Sequence, residues 1–182
     1  SLGVTSTLVI FLIVKFELSY DRFRPDGDRI FRVIKKFDNG KGVSYRNSSL
    51  TYPLVPALRN DFPEAEYVSL VDKQHAVLRI SEKNGTMAKF REDAIAFVDS
   101  SYFRIITQQW IEGNEHALDK ANTAVLTESV ARKFFGNGEA LNRVIHFNNE
   151  FEVTVTGVVK DPPLNTDFRF NVYISSHLGS FK

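Results

Sequence analysis

The residues able to do chemistry are few and poorly placed for it. The four histidines, His75, His116, His146 and His177, lie thirty or more residues apart. No pair of histidines four apart and no HExxH pattern is therefore available to hold a metal on one helix face. His116 and Asp119 have the spacing to meet across one helical turn, but such a pair is more often a surface contact than a catalytic dyad. No G-x-S-x-G elbow occurs. Gly136-Asn137-Gly138 follows a helical pattern instead of a strand, the wrong setting for a phosphate loop, and no G-x-x-x-x-G-K-[ST] is present. The absence of cysteine removes disulfides, thiolate metal sites and cysteine nucleophiles. Asn47-Ser48-Ser49 and Asn84-Gly85-Thr86 match the glycosylation pattern, and two such matches carry no weight by themselves. No catalytic, cofactor-binding or metal-binding residue is assigned, and the expectation is a non-enzyme.

The bulk numbers agree with an ordinary folded chain. Its 182 residues can bury a core unaided, with 43% hydrophobic and 25% charged content. Basic and acidic residues number 23 and 22 and are mixed along the chain, so a nucleic-acid partner is not expected. Aromatics reach 13%, mostly Phe, at periodic positions that suit core packing better than an exposed partner surface.

The elements that must position everything else begin with an apolar run. From Leu2 to Val14 there is no charge, and LVIFLIV fills residues 8–14. As a helix this stretch covers roughly 20 Å, short of the ~30 Å hydrocarbon core of a bilayer. A signal peptide fails on both flanks, having neither a basic region before it nor a small-residue cleavage site after it. A buried core helix, apolar on all sides, would need an unusually enclosing partner. The favoured reading is the end of a longer membrane helix, in which Thr5, Ser6 and Thr7 suit helix-to-helix packing. The mixed charges beyond it (Lys15, Glu17, Asp21, Arg22, Arg24) set no orientation. Phe16, Tyr20 and Phe23 fall at i, i+4 and i+7, which extends the helix as one aromatic stripe until Pro25 and Gly27 stop it.

The remainder alternates strands with short helices. Residues 29–37 alternate as a strand, the Asn39-Gly40 turn follows, and residues 42–48 return. Pro53 and Pro56 open a helix whose apolar face is Leu54, Ala57 and Leu58, ended by Pro63. A strand is expected over residues 66–71, and two or three further short strands within 75–80 and 86–98, with a turn at Asn84-Gly85. A turn or short helix starts at Ser100 or Ser101, and Glu115 to Lys120 forms a small helical turn. VLTESVARKFFGNG is the best-defined helix, with Thr127 as cap, Glu128 on the positive end of the dipole, Arg132 and Lys133 near its end and Gly136 closing it. Residues 143–147 and 151–159 flank Asn148-Asn149 as a hairpin, with Phe151, Val153, Val155 and Val159 on one face. DPPLNTD is a loop and residues 168–174 a last strand. Two or three helices against about eight strands define an α+β fold.

In that order, FELSYDRFRPDGDRIFRV, YPLVPALRNDFPE, AVLTESVARKFFGNGEALNRVI and FEVTVTGVVKDPP resemble the MacB-like periplasmic core domain of FtsX/MacB-family ABC transporter permeases, in the version common in Bacteroidetes. The resemblance covers nearly the whole chain. It implies a MacB-type periplasmic core with a porter-like lobe and an inserted lobe, without catalysis or cofactors. Residues 1–16 would end the first transmembrane helix, 17–27 form a stalk, and 28–182 form a periplasmic core that stops before the family's usual second half. It further implies location at the bacterial inner membrane, with residues after about 17 in the periplasm. The partners implied are an ABC ATPase, a second permease in a homodimer or heterodimer, a periplasmic adaptor, and membrane lipid around the N-terminal helix. The role implied is mechanical, passing ATP-driven helix motion to the periplasmic body for export or signalling. A membrane-anchored sensor or ligand-binding domain, or a soluble enzyme, are the other readings of the residues alone.

Overall fold

The computed structural model describes residues 2–24, 26–38, 40, 44–47, 50–81 and 85–177. The expectations placed on Pro25, Asn39, Asn84 and the residues after His177 lie outside them. Among these residues four α-helices and nine strands follow in the order α1 (Leu2–Glu17), β1 (Lys35–Asp38), β2 (Ser44–Asn47), α2 (Leu54–Asp61), β3 (Val71–Ser81) and β4 (Met87–Val98). They continue as α3 (Tyr102–Ile105), β5 (Trp110–Glu112), β6 (Thr123–Thr127), α4 (Glu128–Phe135), β7 (Val144–Phe147), β8 (Phe151–Val159) and β9 (Val172–Ser175). The fold is mixed α and β.

Strand pairing closes on itself. β7 pairs with both β3 and β8, and the circuit β8-β6-β9-β4-β3-β7 returns to β8 as a six-stranded barrel, with β5 added outside on β8. The β4–β9 and β6–β8 pairs are parallel and the rest antiparallel. Alternation along each strand then sorts side chains into two cores. Leu78, Ile80, Ile95, Phe97, Leu126, Ile145, Val153, Val155 and Ile174 fill the inside, joined by Val130 and Phe134 of α4. The other face of β4, β6 and β9 carries Ala96, Val98, Val125 and Tyr173, which α3 covers with Tyr102 and Phe103.

A bulge decides how β8 serves both cores. The β6–β8 register slips between Ala124 and Val125, so Val125 opposes Gly157 after Ala124 opposes Val155. Beyond the slip Val158 takes the inner face and Val159 turns to the outer core, whereas strict alternation kept Val159 with Val153 and Val155. The β7–β8 hairpin turns through Asn148, Asn149 and Glu150, with positive φ angles of 47° and 66° at the two asparagines and the Glu150 N–H bonded to the Phe147 carbonyl at 2.8 Å.

Several boundaries differ from the sequence reading. Of residues 29–37 only Lys35, Lys36 and Phe37 pair among the described residues, in a ladder that runs on to Asp38 against β2. Residues 66–70 are irregular, since Arg59 holds the Val68 carbonyl at 2.7 Å and takes it out of strand pairing. The strand starts at Val71 instead, and β3 and β4 form one hairpin of 11 and 12 residues. Residues 114–119 make i to i+3 turns without becoming a helix. The last strand is shorter than expected, at Val172–Ser175. In α2, Leu54, Val55 and Leu58 are half-buried while Ala57 is exposed.

β5 lies unusually close to β8. A Cβ on Gly157 would stand 2.7 Å from the Trp110 ring, and one on Gly113 (φ +80°) would stand 2.6 Å from the Thr156 carbonyl. The glycine of the sequence VTGVV is thus required by a neighbour's ring. Gly113→Ala is expected to destabilise the chain by roughly 2 kcal/mol, since positive φ and a backbone clash add. Urea unfolding of the variant with an unchanged slope checks this, and an unchanged midpoint would contradict it.

Candidate functional site

A cluster of side-chain hydrogen bonds between segments far apart in the chain gathers where α1 meets the barrel. The helix ends at Glu17 because the residues beyond it switch to three-residue turns. Leu18 still bonds Val14, while Ser19, Tyr20, Arg22 and Arg24 bond back only three residues. Asp21 takes a positive φ of 53°, which reverses the chain. The helical stripe expected through Tyr20 and Phe23 therefore stops short, leaving only an edge-to-face contact of Phe16 on Tyr20 at 5.8 Å. A continuous helical lever to Phe23 is not what forms.

A clamp takes its place. The Asn165 amide donates to the Ser19 carbonyl (3.1 Å) and hydroxyl (3.0 Å), and the Asn165 carbonyl accepts the Asp21 N–H at 3.0 Å. The Asp21 carboxylate accepts from the Thr166 hydroxyl in a short bond, from the Asp167 N–H at 3.2 Å and from Arg24 Nε at 3.2 Å. Arg24 is 9% exposed and also donates to Thr166 Oγ1 at 3.2 Å. Its guanidinium lies over Phe23 (4.9 Å) and Phe168 (5.5 Å). Burial raises the Asp21 pKa, but hydrogen bonds from Thr166, Asp167 and Arg24, with the Arg24 charge, outweigh it and hold the carboxyl below its ordinary 3.8. Burial also pushes the phenols of Tyr102 and Tyr173 up, so both stay neutral within reach of the Arg24 charge.

The loop that supplies Asn165 and Thr166 is fastened at its other end to α4. Thr127 occupies the cap position, yet its hydroxyl accepts no helix amide. Asp161 caps instead, accepting from the Ser129 N–H (3.3 Å) and hydroxyl (2.6 Å), while Lys160 pairs with Glu128 at 2.8 Å. Phe23, Arg24, Gln108, Lys160 and Pro163 border a groove of about 420 Å³ beside the clamp.

His116 and Asp119 do meet, at 3.0 Å, but both are about half exposed, the setting of a surface contact. His146 pairs with Glu152 at 3.1 Å across β7 and β8. Among the described residues no cluster of three potential metal ligands occurs. Sequence reasoning missed Asp21, Arg24 and Thr166. Their signal was an Asp-x-x-Arg pair inside an aromatic stretch, a charge that a packed neighbourhood must neutralise.

These features define a class, a small β-barrel body held through a half-buried Asp21–Arg24 pair and its hydrogen bonds to residues 165–167 to the end of an apolar helix. The family model for the MacB-like periplasmic core domain matches residues 1–182. The chain belongs to that family, the periplasmic core domain of MacB/FtsX-like ABC transporter permeases. It is similar to a domain of a protein assigned as a permease from Porphyromonas gingivalis, at 17% identity and a TM-score of 0.58, over 78% of this chain and 60% of that one. It is also similar to the extracellular domain of the ABC-type transporter YknZ from Gram-positive bacteria, at 16% identity and a TM-score of 0.51, over 69% and 62%. The periplasmic region of MacB from Actinobacillus actinomycetemcomitans gives 18% identity and a TM-score of 0.47, over 66% and 54%. The chain thus spans 54–62% of the length of these structures, and the likeness is one of fold. No curated protein matches it.

The clamp makes a pH prediction with a defined sign. A carboxylate whose folded pKa is depressed stabilises above its unfolded value and loses that contribution as pH falls through the folded value. Protection of the Asp167 amide from hydrogen exchange should therefore be constant near neutrality and collapse only below about pH 4. Asp21→Asn should abolish the acid transition and cost roughly 1 kcal/mol at pH 7, because Arg24 loses its counter-charge while solvent reaching Asp21 screens part of the pair.

Proposed function

We propose that this domain couples ATP-driven movement of membrane helices on the cytoplasmic side to the periplasmic body of the permease. In that reading α1 is the outer end of the first transmembrane helix, residues 17–27 are the connector, and the remainder is the moved body. Among the described residues no helix is long and apolar enough to cross a membrane. α1, at 16 residues, covers about 24 Å. Its Leu8, Ile10, Phe11 and Ile13 are all more than half exposed, as lipid-facing side chains would be. The observation that carries the reading is the clamp of Ser19, Asp21 and Arg24 to Asn165 and Thr166. A helix end free to swivel would transmit nothing, and this one is tied to residues 165–167 by six hydrogen bonds.

The partners this implies are an ABC ATPase, a second permease chain and, on the periplasmic side, an adaptor protein. The location implied is the bacterial inner membrane, with the barrel outside it. The domain itself would be non-catalytic and free of cofactors, passing on force for export or signalling.

The test is made in the full-length permease with its ATPase. Asp21→Asn combined with Asn165→Ala should leave ATP hydrolysis within about twofold while transport or signalling falls at least tenfold, with the barrel still folded by circular dichroism. Transport that falls in proportion to hydrolysis, or that does not fall, would count against coupling through this junction.

A further inference from the structure

Leu164 is 65% exposed, and outside α1 only Phe31 among the described large hydrophobic residues is more so. It does not sit on a free tip. Pro162 and Pro163 stiffen the chain before it. Asn165 immediately after it is locked to Ser19 through two amide hydrogen bonds and to the Asp21 N–H through its carbonyl. The clamp therefore holds an apolar side chain out to solvent within one turn of the place where α1 ends.

Its surroundings have the same character. Phe16 (44% exposed), Leu18 (57%), Tyr20 (36%) and Phe23 (47%) follow one another through the helix end, with the exposed charges Lys15, Glu17 and Arg22 among them. Apolar and aromatic side chains mixed with Lys and Arg at a helix end are the composition of a lipid headgroup boundary. The Asn165–Ser19 hydrogen bonds bring Leu164 beside this exposed apolar stretch, and exposed apolar residues gathered at one place call for an occupant. Continuity with the apolar surface of α1 favours lipid over protein. Resting on the reading of α1 as a membrane helix, we infer that the 161–168 loop docks on the bilayer surface, with Leu164 inserted at headgroup depth as a second foothold beside α1. The barrel would then stand on two points, the helix and this loop, and would be fixed in tilt.

The chain has no cysteine, so single labelling sites can be introduced cleanly. The full-length permease, cleared of any cysteine elsewhere, is reconstituted in vesicles of phosphatidylethanolamine and phosphatidylglycerol. Nitroxides are placed at Val9→Cys, Leu164→Cys and Arg91→Cys, each checked for folding by circular dichroism. Relaxation by oxygen against a water-soluble nickel chelate reads the depth of each. Expected is a hydrocarbon signature at position 9, a shallow lipid signature at 164 and an aqueous one at 91. An aqueous reading at 164 with lipid at 9 overturns the foothold and leaves the membrane helix standing. A label at 164 shielded from both relaxers means a protein occupant and also overturns it. Aqueous readings at both 9 and 164 would remove the membrane-helix reading itself.

Discussion

A guanidinium taken out of water needs a negative charge and filled donors, and Arg24 obtains both from a chain reversal three residues upstream. The turn at Asp21 presents its carboxylate to Arg24 Nε while Thr166 bridges the two groups, accepting from one and donating to the other. The same carboxylate reaches the Asp167 amide, so one side chain fixes the connector, the charge and the facing loop together. Removing either ion would strand the other, which is why buried pairs of this kind hold a geometry even where their net stabilisation is modest. The direction in which α1 leaves the body depends on this arrangement.

From the clamp, contacts continue without a gap into the barrel. The 160–168 loop joins the connector at Asn165 and Thr166 and joins α4 at Asp161 and Lys160. α4 in turn places Val130 and Phe134 against the strands' inner face. The barrel has no open sheet edge between β7 and β8, and its interior is apolar, so it resists local deformation. The stretch from Ile30 to Leu70 is different. Outside residues 41–49 none of its described residues is buried, and it meets the body through scattered contacts: Ile30 against the outer core, Arg59 with Asp99 at 2.7 Å and Tyr52 with the Ser176 carbonyl at 3.1 Å. Low burial of this kind places it at the less stable end of the molecule.

What could be read from the chain divides along local and non-local physics. The β7–β8 hairpin was legible because Asn148-Asn149 supplies two positive φ angles within the turn itself. The α4 helix was legible because its period and its Gly136 terminus (φ 66°) are local properties. Barrel closure was not, since it depends on β7 finding two partners, one of them over sixty residues earlier. Val159 was placed on the wrong face because a bulge arises from the register of β6 against β8, which no alternation pattern encodes. Thr127 looked like a complete cap, but Asp161, distant in sequence, took the amide it would have served. The clamp was half legible. Asp21 and Arg24 share a turn, while Asn165 and Thr166 meet them only through the fold.

That division also explains where specificity resides. Inside the barrel, aliphatic and aromatic side chains of similar size could exchange with small losses so long as volume and alternation persist. The junction has no such tolerance, because Ser19, Asp21, Arg24, Asn165 and Thr166 each satisfy a partner that burial or turn geometry has already committed. A body that only had to fold would gain little from placing its buried arginine at the root of an apolar helix, since a hydrophobic contact there would stabilise as well. What the ion pair adds is a single angle between helix and body. Under the coupling proposed above, a single angle is the property that would turn displacement of the helix into displacement of the barrel.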